Sequence, residues 1–142
     1  MIRLLLAGHG HFATGVLSGI EMIFGPQADI ETVEFVDGET KSELDAKMDA
    51  ALNRLADADN ILLMCDVLQG SPFQSAAERA QLDNRIHVVY GTNVAMVLEV
   101  VANLIGGAND VDELKKTAVA AGKEHIGLFD PAVAVDDEDD DW

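Results

Sequence analysis

The sequence predicts an α/β fold, a doubly wound and mostly parallel sheet with helices on both faces. Three observations carry this expectation. Four short runs rich in Val, Ile and Leu recur along the 142 residues, and their middles are nearly continuous in apolar side chains, the pattern of strands covered on both faces. Segments with apolar residues at helical spacing lie between those runs, and such alternation implies parallel strands joined by crossovers. Hydrophobic residues make up 49% of the chain and aromatics only 5%, enough for a core built mainly from aliphatic side chains.

The first strand is expected over Ile2–Ala7 and runs into the glycine-rich turn Gly8-His9-Gly10-His11. Phe12, Val16, Ile20, Ile23 and Phe24 then fall near one face of a helix. The second strand is predicted over Ile30–Val36, followed by a helix with Leu44, Met48, Ala51, Leu52 and Leu55 inward. Thr40 and Glu43 have the spacing of a capping box that opens this helix. The third strand, Asn60–Cys65, leads through Asp66 to Ser71-Pro72, which read as an N-cap and a proline at the first helical position. The fourth strand is expected over Arg85–Tyr90, and Met96, Val97, Val100, Val101 and Leu104 form the stripe of the next helix. Asp110 is placed to cap a fifth helix with Leu114, Ala118 and Ala121 inward and Gly122 ending it. A short last strand is expected over Glu124–Phe129. Residues 1–130 thus form one domain, and 131–142 an acidic tail whose charge run cannot pack and is expected to be disordered.

Composition excludes several classes of function. The net charge is −17; the run Asp136 to Asp141 supplies six of the acids, and the other 20 against nine Lys and Arg leave a body of −11. Such a field repels nucleic acid and anionic membrane surfaces, so the expected partners are proteins or small molecules. There is no run of about 18 apolar residues of the kind that spans a bilayer. The apolar N-terminus is too short and too weakly basic for a signal peptide. The single cysteine, Cys65, cannot form an internal disulfide and fits a reducing cytoplasm. No P-loop or dinucleotide-binding glycine fingerprint is present.

In open α/β sheets, ligands sit beyond the carboxyl ends of the strands, where strand order reverses. For a flavodoxin-like order that point lies between the first and third strands. The two loops there hold His9 between two glycines, and Asp66 followed by Gly70-Ser71-Pro72-Phe73. An imidazole at His9 could serve as nucleophile, base or metal ligand, or be an ordinary loop residue. A carboxylate at Asp66 could fix the His9 tautomer by accepting a hydrogen bond from one ring nitrogen, or be a solvated turn residue. Ser71, at a helix start, could cap that helix alone or share its free amides with an anion. His9 and His11, two residues apart, lack the Cys/His cluster expected of a zinc site. His87 and His125 are expected to be structural, and Cys65 to belong to the core.

Taken together, these residues resemble the enzyme IIA domain of the mannose-type sugar phosphotransferase system, the mannose/fructose/sorbose family. Leu6-Ala7-Gly8-His9-Gly10 resembles its strand and His-Gly loop, Asp66 with Gly70-Ser71-Pro72-Phe73 its second signature, and Gly91-Thr92-Asn93 with Met96 and Glu99 a weaker third. The likeness runs from about Met1 to Phe129. Four positions depart from the usual pattern: Gly8 stands where Ser or Thr is common, Gln69 where a second glycine is usual, Leu68 at a variable position, and Ala95 where proline is common. The resemblance implies a phosphotransferase component with a transient phosphohistidine at His9, paired with Asp66, its phosphoryl group met by Gly10, Gly70 and Ser71, with no metal and no cofactor. It implies phosphate received from the phosphocarrier HPr and passed to a IIB component on a separate chain, then to sugar entering through membrane IIC and IID proteins. It also implies an antiparallel last strand, exchanged within a homodimer. Alternatives of similar fold are the phosphoryl-transfer subunit of a dihydroxyacetone kinase and a regulatory module without transfer.

Overall fold

In a computed structural model, which describes residues 1–135, the chain alternates strand and helix as β1 (Ile2–His9), α1 (Phe12–Phe24), β2 (Glu31–Phe35), α2 (Lys41–Arg54), β3 (Asn60–Cys65), α3 (Ser71–Leu82), β4 (Ile86–Val89), α4 (Val94–Ile105) and α5 (Val111–Glu124). The four strands form one parallel sheet in the order β2-β1-β3-β4. Strand order reverses between β1 and β3, as a flavodoxin-like arrangement requires.

The two central strands are buried on both sides, which explains their unbroken apolar runs. Leu4 and Leu6 of β1 and Leu62 and Met64 of β3 pack with α1, α4 and α5, while Leu5, Ala7, Leu63 and Cys65 face α2 and α3. This is the period-two alternation of strand side chains, with a hydrophobic layer on each face.

Helix ends follow local chemistry. Thr40 and Glu43 form the expected capping box, and Asp110 accepts from the amides of Asp112 and Glu113 at 3.0 and 3.2 Å. Two expectations are corrected. Gly70, not Ser71, is the N-cap of α3, so Ser71 occupies its first helical turn ahead of Pro72. Gly122 does not end α5, which continues to Glu124 with His125 as C-cap. The reason for a glycine there is packing. A Cβ on Gly122 would lie 2.5 Å from Met96 Cγ, so its absence lets α5 close onto α4.

The last expected strand is absent from the single chain. Glu124 belongs to α5, and residues 126–130 have no regular structure. Ile126, Leu128 and Phe129 are 75, 100 and 72% exposed. The free edge of β4 pairs with no strand among the described residues. The acidic run from Asp136 lies outside the described residues. Among those that are described, no helix is long and apolar enough to cross a membrane.

Candidate functional site

His9 closes β1 rather than starting the loop, since it still pairs with Phe35 of β2. Asp66 follows β3, the other neighbour of β1, so the sheet itself sets the two side by side. Asp66 Oδ2 accepts from the His9 backbone amide at 2.8 Å and lies 2.7 Å from His9 Nδ1. Its other oxygen accepts from the Val67 amide at 2.8 Å. Burial works against ionisation of Asp66, but the His9 amide, the His9 ring and the Val67 amide together hold its carboxyl below the ordinary range. An ionised Asp66 can only accept, so in the neutral imidazole Nδ1 carries the proton and Nε2 keeps its lone pair.

The Cε1–Nε2 edge of the ring lies against Gly70. A Cβ there would stand 2.7 Å from His9 Cε1, 3.4 Å from Nε2 and 3.2 Å from Val67 Cγ2. Gly70 thus allows the imidazole to lie against the start of α3. The first backbone bond of that helix runs from the Gln74 amide to the Gly70 carbonyl, and Pro72 has no amide to offer. The Ser71 and Phe73 amides are therefore the orphan donors of the first turn. Among the described residues no side chain caps it, and Ser71 is its first residue. Open amides and the positive end of a helix dipole favour an anion beside Nε2.

Gly10 lies at the turn from β1 into α1. Its amide donates to the Phe35 carbonyl at 2.8 Å, and its φ of +56° lets the chain turn sharply into α1. Its own amide is thereby engaged within the fold. Gly8 has a steric reason as well: a Cβ there would meet Phe12 Cδ1 at 2.5 Å, so the hydroxyl-bearing residues common at this position have no room beside this aromatic ring.

Gln69 has φ +69°, the left-handed conformation that costs a non-glycine residue roughly 1–2 kcal/mol. The usual glycine would relieve this. Gln69→Gly is expected to raise unfolding stability by about 1 kcal/mol, checked by urea denaturation.

The other histidines have separate partners. His11 Nδ1 lies 3.2 Å from Glu34 Oε1, so His9 and His11 turn to different carboxylates. Among the described residues no group of three His, Cys, Asp or Glu gathers to hold a metal ion. His87 bonds Asn60 and Lys115 at 3.1 and 2.9 Å, and His125 bonds the Ala121 carbonyl at 2.8 Å. Cys65 is fully buried, and burial pushes its thiol up to about 12, with the Asp66 charge adding to the effect. It is a core residue.

Phe35 was not evident as a site residue from sequence. Its ring meets the His9 ring edge-on, centroids 6.1 Å apart, and closes the side of the imidazole away from Asp66. Only the pairing of β1 with β2 reveals this neighbour. The His9 side chain is 47% exposed, with Val67, Leu68 and Tyr90 about half exposed nearby on the same sheet end. A cavity of about 380 Å³ bounded by Arg3, Ile30 and Leu104 lies at the opposite end of the strands. The site is therefore an open surface, suited to reaction with another protein's side chain rather than to enclosing a small substrate.

Comparison with known proteins agrees with this geometry. The family model described as PTS system fructose IIA component matches residues 3–119. The mannose-specific EIIAB component of Escherichia coli strain K12 is 31% identical over 127 residues, 88% of this chain. The chain spans 38% of the length of that relative. The fructose-specific EIIA component of Bacillus subtilis is 30% identical over 102 residues, 72% of this chain and 70% of that protein. Among solved structures, the mannose/sorbose-specific IIA subunit from Enterococcus faecalis superposes with TM-score 0.83 at 26% identity, covering 94% of this chain and 98% of that one.

Proposed function

We propose, from the premise that this chain belongs to the PTS fructose IIA component family, that it carries a phosphoryl group on His9 Nε2. The observation that carries this reading is the 2.7 Å contact of His9 Nδ1 with Asp66, which leaves the opposite nitrogen against the open start of α3. In the transfer, the Nε2 lone pair forms the new N–P bond as the bond from phosphorus to the donor's nitrogen breaks. The donor ring leaves with that electron pair. The Nδ1 proton stays on His9, and the Asp66 carboxylate balances the positive charge that develops on the ring. The Ser71 and Phe73 amides and the Ser71 hydroxyl receive the phosphoryl oxygens. Metal is not needed for this step, because amides and the helix dipole supply the positive potential.

The donor in this reading is phospho-HPr and the acceptor a IIB component, which serves sugar uptake through IIC and IID in the membrane. The open face around His9 fits two successive protein partners. A cytoplasmic location follows from those partners. The chain works as a homodimer in which the segment after α5, Ile126 to Phe129, lies antiparallel on the partner's β4 edge. Support comes from the exposed Leu128 and Phe129 and from an apolar groove of about 340 Å³ along β4, lined by Val88, Tyr90, Met96, Val119 and, at its end, Ile126 of the same chain.

Incubation with phosphoenolpyruvate, enzyme I and HPr is expected to add one acid-labile phosphoryl group by intact mass. The group is expected to be lost in His9→Ala and retained in His11→Ala. A label that persists without His9 would sink the assignment.

A further inference from the structure

The α5 helix lies on the sheet through apolar side chains, with Leu114 and Ala118 in one cluster with Leu62, Met64 and Val89. Among the described residues a single side-chain hydrogen bond joins it to a strand: Lys115 Nζ lies 2.9 Å from His87 Nδ1 of β4. An ammonium can only donate, so Nδ1 accepts and carries no proton. The proton of the neutral ring is then on Nε2, which donates to Asn60 Oδ1 of β3 at 3.1 Å. His87 is held from both sides, and the Lys115 bond exists only while the ring is neutral. The charged groups that act on the ring are both on α5: Lys115 itself, and Asp112, 3.0 Å from Lys115 Nζ. Neighbouring charges are engaged elsewhere. Asp59, beside Asn60, pairs with the Met1 ammonium, Arg85 of the loop before β4 pairs with Asp83 at 2.8 Å, and Glu99, the one charged residue of α4, turns to Asn103 at 3.4 Å. Burial, and then the Lys115 charge, push the His87 ring below the ordinary histidine range, while Asp112 acts the other way.

We propose that His87 is an acid-sensitive latch for α5: at neutral pH its Nδ1 accepts a hydrogen bond from the Lys115 ammonium, and in acid a proton taken from water onto Nδ1 sets two cations face to face, expels Lys115 and loosens α5 from β4. Lys115 has somewhere to go, since its side chain is 33% exposed and Asp112 stands beside it in water. The ring stays behind on β4. The latch is therefore closed above the ordinary histidine value of about 6.5 and opens as pH falls through the lower value of the folded ring. Histidine is the side chain whose charge changes in this range.

The test is amide hydrogen exchange of the full chain, with rates corrected for the intrinsic effect of pH. Protection of the α5 amides is expected to fall about five-fold from pH 7.5 to 5.5 in the unmodified protein. His87→Asn places a neutral acceptor where Nδ1 stood and has nothing to titrate, so its fall should stay below about two-fold. Lys115→Met keeps the stem and removes the cation. Its α5 should be less protected at pH 7.5, and its fall should also stay below about two-fold, because Asp112 then faces the ring alone. Nitrogen-15 NMR of the unmodified chain at pH 7.5 should show His87 with its proton on Nε2 and none on Nδ1. An unchanged α5 in the unmodified protein, a fall in either variant equal to that of the unmodified protein, or a His87 proton on Nδ1 at pH 7.5 overturns the inference. None of these readouts involves phosphoryl transfer, so the latch and the function proposed for His9 stand or fall separately.

Discussion

Replacing Asp66 with alanine is expected to slow phosphoryl acceptance by about 100-fold or more in single-turnover reactions with phospho-HPr. Three bonds converge on this carboxylate, and two of them, from the His9 amide and ring, share the single oxygen Oδ2. That sharing separates orientation from charge. In Asp66→Asn the side-chain carbonyl oxygen can still accept from both His9 groups, while the charge is gone. Asp66→Asn should therefore fall between alanine and the unmodified protein. Equal rates for Asp66→Ala and the unmodified chain would remove Asp66 from the mechanism. The same bonds set a pH dependence. The folded carboxyl titrates below its unfolded value of about 3.9, so its contribution to stability is fully present above that pH and is lost as pH falls through the folded pKa. The stability difference between the unmodified protein and Asp66→Asn should accordingly shrink as pH falls below about 3.9, as measured by urea unfolding.

The second large effect is expected at Gly70. Alanine can adopt its backbone, φ −74° and ψ 165°, so the cost is steric rather than conformational. The new methyl would stand 2.7 Å from His9 Cε1, and the ring must move away from Asp66 or from the start of α3. Displacement of a reacting group by about 1 Å can cost on the order of 100-fold, and Gly70→Ala should lose at least tenfold in the acceptance rate while the protein remains folded. Gly15→Ala provides the contrast. Gly15 lies in α1 with open space where its Cβ would go, so the rate should hold and stability should rise by about 0.5–1 kcal/mol. A Gly70→Ala protein that reacts at the normal rate would show that the ring does not use this edge.

Much of the fold was legible because the central strands announce themselves. Leu4 to Ala7 and Ile61 to Cys65 are buried on both faces, and such burial leaves an apolar run that periodicity detects. Strand ends were less legible: His9 looked like loop, yet it extends β1 because Phe35 reaches far enough to pair with it. Gly122 looked like a helix end because glycine often is one; its actual reason, the Met96 side chain, lies on another helix. The His9–Asp66 pair could be inferred from loop positions at the switch point. The tie of the Gly10 amide to Phe35 and the bond of the Thr14 amide to Glu34 could not, since both depend on the register between β1 and β2. The last strand, expected over Glu124–Phe129, is not formed: residues 126–130 have no regular structure and leave the β4 edge of their own chain unpaired.

The central claim is that Asp66 holds Nδ1 of His9 and leaves Nε2 to carry the phosphoryl group. Nitrogen-15 and phosphorus-31 NMR of the phosphorylated full chain, with histidine ring nitrogens labelled, tests it most directly. A single phosphorus–nitrogen coupling to Nε2 of His9, with the proton retained on Nδ1, is the expected result. Phosphorus bonded to Nδ1, or to any other histidine, would contradict the account.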